Sequence, residues 1–494
     1  MTEPARLERR VGILEAEAAA YPKPPPFHPS TRYPEYPFAE LASEPNPVYA
    51  AVRELFRILQ LDAERFGSAE WNPLGALIRP GDRVVLKPNF VMDRHYTGGD
   101  YFSVVTHGSV IRAVADYVTI ALGGSGEITI ADAPMIDNDF DRILRQTGVD
   151  AIAEFYAGSG RPLGVFDLRV ENVETRDGLI VRRFKLRGDP NGYVPIDLGA
   201  GSELAAISSF YRIYRGSDYD GAETFEHHND RVNEYLLSRT VLRSDVFINL
   251  PKLKTHKKIG VTLNLKNLIG INGDKNWIPH YRRGSPRIAG DEYHSANTLR
   301  HLESLLKDRF KEKAYAMAQS GSRVGLLVAR KLRRLQKSVV ENTSLTKIRA
   351  GGWHGNDTLW RSVLDLNKIL LYADAEGRMH DRPQRRFLSL IDGIIGGEGD
   401  GPVITTPKPS AVLVAGFNPL AVDLCATRLM GFDPLRFTQY RQALALRRHR
   451  LADFDPSQIE CVSNRAAWCD ILERKDELLN FAAPTGWRGE IELG

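Results

Sequence analysis

The sequence predicts an α/β fold: a mostly parallel sheet with flanking helices, a small β-rich elaboration and a basic helical insertion. Three observations predict it. Short apolar runs of strand length alternate with amphipathic stretches of helix length. The breaks between them are brief and rich in glycine or proline. The apolar runs also end repeatedly in Lys, Asn or Asp, as strands do when their carboxyl ends face a site.

Taken in order, residues up to about 37 read as an extension. Its first part suits a short amphipathic helix. YPKPPPFHPSTRYPEYP is then a proline-rich arm draped over the domain or a partner subunit. Val52, Leu55, Phe56 and Leu59 recur at helical spacing within 46–66. Residues 83–86 form a strand that runs into Lys87, Pro88 and Asn89. Thr106 or Ser109 caps a helix over 110–122, and a glycine-rich break leads to a strand over 127–131 that ends in Asp132. That break follows a helix and precedes a strand, the wrong order for a dinucleotide-binding fingerprint. Residues 141–156 read as helix, and 164–198 as the β-rich elaboration.

A helix over 232–242 leads to the most informative stretch. Val246–Leu250 reads as a buried strand whose pairing Pro251 stops. Lys252, Lys254, His256 and Lys258 follow, and in an extended chain all four point to one side. Gly260 opens a helix carrying Asn264, Lys266 and Asn267. Residues 297–342 change to strongly basic helices. A long helix then runs to about Tyr372. A strand over 387–392 ends in a glycine-rich turn with Glu398 and Asp400, a strand over 411–416 follows, and a helix over 419–430 carries Asp423. The organisation is an extension (1–40), the first part of the core (41–296), a basic insertion (297–350), the second part of the core (351–435) and a helical and mixed C-terminal tail (436–494).

Composition narrows the function. With 494 residues the chain has the length of two or three domains, and 43% apolar content suits a globular protein. The 66 basic and 62 acidic side chains nearly cancel, which argues against nucleic acid as partner. No secretory signal pattern opens the chain, and no apolar run reaches the roughly 18 residues of a membrane span. Cys425, Cys461 and Cys469 are too few and too scattered for a disulfide framework or an iron–sulfur cluster, so no such cluster is expected and the expected location is cytoplasmic. No zinc-protease, P-loop or nucleophile-elbow motif occurs.

The strand ends supply the candidate site. Lys87, Asn89, Lys252, Asn264, Lys266 and Asn267 are expected to hold an anionic substrate, since lysine recognises phosphate and carboxylate as a point charge. Lys254 and His256 are the candidate catalytic pair, with His256 kept neutral by the surrounding lysines. Glu398, Asp400 and Asp132 offer hard oxygen ligands for Mg2+. The basic segment within 300–340 is expected to be a solvated helical face, a homo-oligomer contact or a contact with an anionic membrane surface.

VVLKPNFV (84–91), ADAP (131–134), INLPKLKTH (248–256), VTLNLKNLIGI (261–271), DGIIGGEGDGP (392–402) and NPLAVDLCATRLMGFDP (418–434) together resemble the bacterial and archaeal family called domain of unknown function 362. The resemblance implies that the site residues above and Asp423 lie in family motifs; it assigns them no roles. Some members carry a ferredoxin-like iron–sulfur module, which this chain lacks the cysteines to build. The expectation is therefore an enzyme-like protein that binds a phosphorylated or carboxylated small molecule. A non-catalytic binding or scaffold protein, with or without attachment to a membrane surface, and a redox-associated protein, as in the iron–sulfur members of the family, are the open alternatives.

Overall fold

The computed structural model describes residues 7–176, 179–216, 221–294 and 348–493, with scattered positions between 304 and 334. The basic insertion and its expected membrane or oligomer contacts therefore lie almost wholly outside the described residues. Numbered along the chain, the strands of the ten-stranded central sheet are β1 (Arg10–Glu15), β2 (Arg83–Pro88), β3 (Glu127–Asp132), β4 (Gly164–Asp167), β5 (Val246–Leu250), β6 (Lys252–His256), β7 (Gly260–Val261), β8 (Arg386–Glu398), β9 (Thr406–Gly416) and β10 (Glu460–Ser463). Their spatial order is β10-β1-β9-β8-β5-β2-β3-β4, with β6 on the far half of β8 and β7 on β6. From β8 to β4 the strands run parallel, and β9 returns antiparallel along β8.

Both faces of the sheet are covered, because its strands alternate between two apolar clusters. Val84, Leu86, Val246, Ile248, Leu413 and Ala415 join one, with helices Pro47–Ile58 and Gly108–Leu122. Val85, Phe247, Val412 and Val414 join the other, with helices Leu359–Tyr372 and Pro419–Leu429. The two-residue period of a strand buried on both sides produces this division.

The chain order creates one functional position. From β2 the chain moves outward through β3 and β4, then returns to the opposite side of β2 to lay down β5 and β8. The crevice at the carboxyl ends of β2 and β5 is therefore a topological switch point, where open α/β sheets bind ligands.

Several local expectations change. The first part of the N-terminal extension is strand β1, not a helix. It pairs antiparallel with β9 and parallel with β10, and a short apolar run is ambiguous until such partners exist. The segment expected as helix over 232–242 is strand Glu234–Ser238, paired with Tyr193–Asp197, followed by one helical turn. His107, not Thr106 or Ser109, caps helix Gly108–Leu122 by accepting from the Ser109 N–H. Pro251 interrupts the ladder for one residue only, and β6 resumes it along β8. Strand β8 continues through the glycines to Glu398, and Gly260 opens the short strand β7 before helix Leu263–Asn267. The C-terminal tail, expected to be helical and mixed, supplies β10.

Candidate functional site

A chain of side-chain amides lies across the switch point. Lys254 Nζ donates to Asn89 Oδ1 (2.8 Å), and Asn89 Nδ2 donates to Asn267 Oδ1 (2.7 Å). Asn267 Nδ2 donates to Asn249 Oδ1 (2.7 Å), Asn249 Nδ2 to Asn264 Oδ1 (3.0 Å), and Asn264 Nδ2 to Asp423 Oδ1 (2.9 Å). Every amide donates and accepts in one direction, from an ammonium at one end to a carboxylate at the other. Those two ends determine the amide orientations, since an ammonium only donates and a carboxylate accepts. All six residues are buried. Aligned bonds at low local dielectric reinforce one another, so the chain is a rigid support.

Helix Leu263–Asn267 is held by the same parts. Asp423 accepts the backbone N–H groups of Asn264 (2.8 Å) and Leu265 (3.0 Å), and burial raises its carboxyl to about 7. Leu263 enters the helix at φ 40°, a costly conformation for a bulky residue that persists only where its surroundings impose it.

Lys87 Nζ pairs with Asp132 Oδ1 at 2.8 Å, and both side chains are buried. Asp132 also accepts the backbone N–H of Phe90 (2.7 Å) and Ala133 (2.9 Å). Gly270 passes directly over this pair. A Cβ there would overlap the Asp132 carboxylate and sit 2.6 Å from Lys87 Nζ, so only glycine fits. A second buried pair joins Lys252 Nζ to Asp392 Oδ2 (3.1 Å). Tyr21, from the N-terminal arm, closes it by accepting from Lys252 Nζ (2.6 Å) and donating to Asp392 Oδ1 (2.7 Å), with its ring stacked on His107.

Among the described residues, Lys254, Lys266 and Lys275 form no ion pair with a carboxylate. Lys254 is fully buried, and its further acceptors are the carbonyl oxygens of Val104 and Pro402. Burial first, then Lys266 and Lys252, hold it well below the usual lysine range. Burial and Lys87 lower Lys266 to about 8. Burial lowers Lys275 to about 7, with Lys87 and Lys266 adding to the effect, although its Nζ donates to the carbonyls of Ile269 and Asn272. Asp132 is the carboxylate that opposes these shifts at Lys254, Lys266 and Lys275 alike. His256 and His280 lie in the same field. Burial first, then Lys266 and Lys258, push both well below the usual imidazole range. His256 Nδ1 accepts from the Lys258 N–H (3.1 Å), which leaves the proton of the neutral ring on Nε2 as a donor.

The structure thus gathers Lys87, Asn89, Asp132, Lys254, Asn264 and Asn267 into one hydrogen-bonded assembly, with Lys266 and His256 in its electrostatic field. Lys252 borders it, committed to Asp392 and Tyr21. Glu398 and Asp400 turn their carboxylates to the C-terminal segment. Glu398 Oε2 accepts from the Ala482 N–H (2.9 Å) and lies 3.3 Å from Lys408 Nζ, while Asp400 accepts from Thr485 N (2.7 Å) and Oγ1 (2.8 Å). Among the described residues, no group of three or more His, Cys, Asp or Glu is placed to hold a metal ion. Sequence reasoning missed Asn249, Asp392, Tyr21, Lys275 and His280. An amide inside the apolar run VFINL was a readable signal for Asn249; nothing in the arm marked Tyr21.

A family model described as "Domain of unknown function (DUF362)" matches residues 84–187 and 204–428. A curated relative, the thylakoid-associated protein sll1697 of Synechocystis sp., is 27% identical over 197 residues, which cover 40% of this chain and 41% of the relative. This chain therefore spans less than half of that relative. No solved structure gives a significant match. No helix among the described residues is long and apolar enough to cross a membrane.

Proposed function

This chain belongs to the DUF362 family, and from that premise we propose that it is an enzyme whose switch-point pocket takes a small molecule bearing phosphate or carboxylate groups. The observation that supports this reading is a shortage of counter-charge among the described residues: Lys254, Lys266 and Lys275 form no ion pair there, and Asp132, the carboxylate that opposes their shifts, is already paired by Lys87. Taking an ammonium out of water costs several kcal/mol unless a counter-charge meets it. A bound anion supplies that counter-charge.

In this reading the part-exposed Lys266 contacts the anion, and Lys87, Lys254 and Lys275 set the potential around it. His256, neutral, offers its Nε2–H to the ligand oxygen and serves as the proton-handling group. Asn89, Asn264 and Asn267 hold Lys254 and the helix that carries Lys266 in place, since their amides already serve one another. Glu398 and Asp400 secure the C-terminal segment, so the reading draws on no metal cage.

Calorimetric titration with inorganic phosphate, pyrophosphate and succinate tests it. Wild-type protein is expected to bind at least one of them saturably at pH 7, and Lys266→Met to bind it at least tenfold more weakly. Absence of saturable binding by folded wild-type protein would remove the reading. The name of the Synechocystis relative favours a second reading, work at a membrane surface. Cosedimentation with anionic vesicles checks that, and unchanged recovery in the supernatant would exclude it.

A further inference from the structure

Lys266 differs from the lysines around it. Lys87 donates to Asp132 and the Pro88 carbonyl, Lys252 to Asp392 and Tyr21, Lys254 to Asn89 and two carbonyls, and Lys275 to two carbonyls. Lys266 Nζ makes no hydrogen bond or ion pair to any described residue, and the residue is half-buried where its neighbours Leu265 and Asn267 are buried. Its backbone is nevertheless held from both sides. Asp423 fixes the N–H groups of Asn264 and Leu265 just before it, and Asn267 just after it is locked into the amide chain. A rigidly mounted amine whose Nζ has no partner among the described residues, in the field of Lys87, Lys254 and Lys275, is built for more than charge.

We propose that Lys266 is the site's nucleophile and forms an imine with a small carbonyl compound whose phosphate or carboxylate is drawn in by the positive potential of the surrounding lysines. The inference rests on the anion-pocket reading and extends it to a substrate class, anionic aldehydes or ketones. The unprotonated Nζ attacks the carbonyl carbon, and a C–N bond forms as the C=O π bond opens. The carbinolamine then loses its oxygen, together with the two amine protons, as water, which leaves C=N. No oxidant or reductant is needed. Neighbouring cations are an established means of activating a lysine for this step. A lysine near 8 leaves about one amine in ten unprotonated at pH 7, against fewer than about one in a thousand for an exposed lysine. The Nε2–H of neutral His256 is the group available to polarise the carbonyl oxygen.

The test uses the full chain with glycolaldehyde phosphate and, as its uncharged match, glycolaldehyde, each trapped with cyanoborohydride and located by peptide mass spectrometry. With the phosphorylated probe, the reduced adduct is expected on Lys266 at least tenfold above the exposed Lys257 and Lys475. It should fall when inorganic phosphate is added and rise as pH climbs through about 8. Lys266→Arg, which keeps the charge, should lose the adduct while it still binds phosphate. If phosphate binds but Lys266 is labelled no more than Lys257, the imine proposal fails and the anion pocket stands. If folded protein neither binds phosphate nor labels at Lys266, both fail.

Discussion

Lys266 should cost the empty protein stability. Its pKa falls from 10.5 to about 8 on folding, so between those values the unfolded chain holds more protons than the folded one. The cost is fully present below pH 8 and is relieved as the pH rises toward 10.5. Lys266→Met is therefore expected to stabilise the anion-free protein, by at most about 3 kcal/mol, at pH 7, and to lose that advantage above pH 10. Thermal unfolding across this range measures it, and the same variant should bind phosphate more weakly. A variant both less stable and unchanged in binding would show that Lys266 is an ordinary surface lysine. In the amide chain the expected behaviour is non-additive. Asn267→Ala leaves Asn249 and Asn89 each short of a partner, at a cost of about 2–4 kcal/mol. Asn249→Ala does the same to Asn267 and Asn264, so the double variant should cost clearly less than the sum of the two. A double-mutant cycle by denaturant unfolding decides it.

At the scale of elements, the short helix Leu263–Asn267 could not hold its position by itself, because five residues form little more than one turn. Asp423, far along the chain on helix Pro419–Leu429, holds it in place. Asp423→Ala strands two buried N–H groups and the Asn264 amide. The expectation is a loss of about 2–4 kcal/mol in unfolding experiments, together with loss of phosphate binding. Gly270→Ala tests the other wall, since the new methyl group must push apart Lys87 and Asp132. It should lower the midpoint of thermal unfolding by several degrees, whereas Gly158→Ala, with open space around it and no left-handed backbone, should lower it far less. Elements of this kind were only partly legible. The strand-end positions of Lys87, Asn89, Asp132 and Lys254 followed from apolar runs meeting polar residues. That Asn89, Asn264 and Asn267 bond to one another was not legible, because spacing along a chain says nothing about which amides meet across it.

For the whole molecule, the N-terminal segment is an internal part of the sheet. Strand β1 lies between β9 and β10, and Tyr21 a few residues later covers the Lys252–Asp392 pair. Deletion of residues 1–16 would leave the long strand β9 with an unpaired edge and exposed apolar residues. The expected result is aggregation or loss of a cooperative unfolding transition, read by soluble yield and calorimetry. A merely draped arm would come away with little effect. Tyr21→Phe, which leaves the sheet intact, should cost only about 1–3 kcal/mol.

By itself the sequence determined the fold class, the position of most core strands and the crowding of lysines near their ends. Periodicity and composition are local properties, and these features are written locally. Tertiary structure decided that the first apolar run is a strand, that Glu398 and Asp400 serve the C-terminal segment, and that Tyr21 and Asp423 belong to the site's surroundings. It also separated the site's lysines into those whose ammonium groups have partners and Lys266, whose Nζ has none among the described residues. Each of these depends on which distant groups meet when the chain returns across β2, and pairing between such groups leaves no trace in the spacing of either segment.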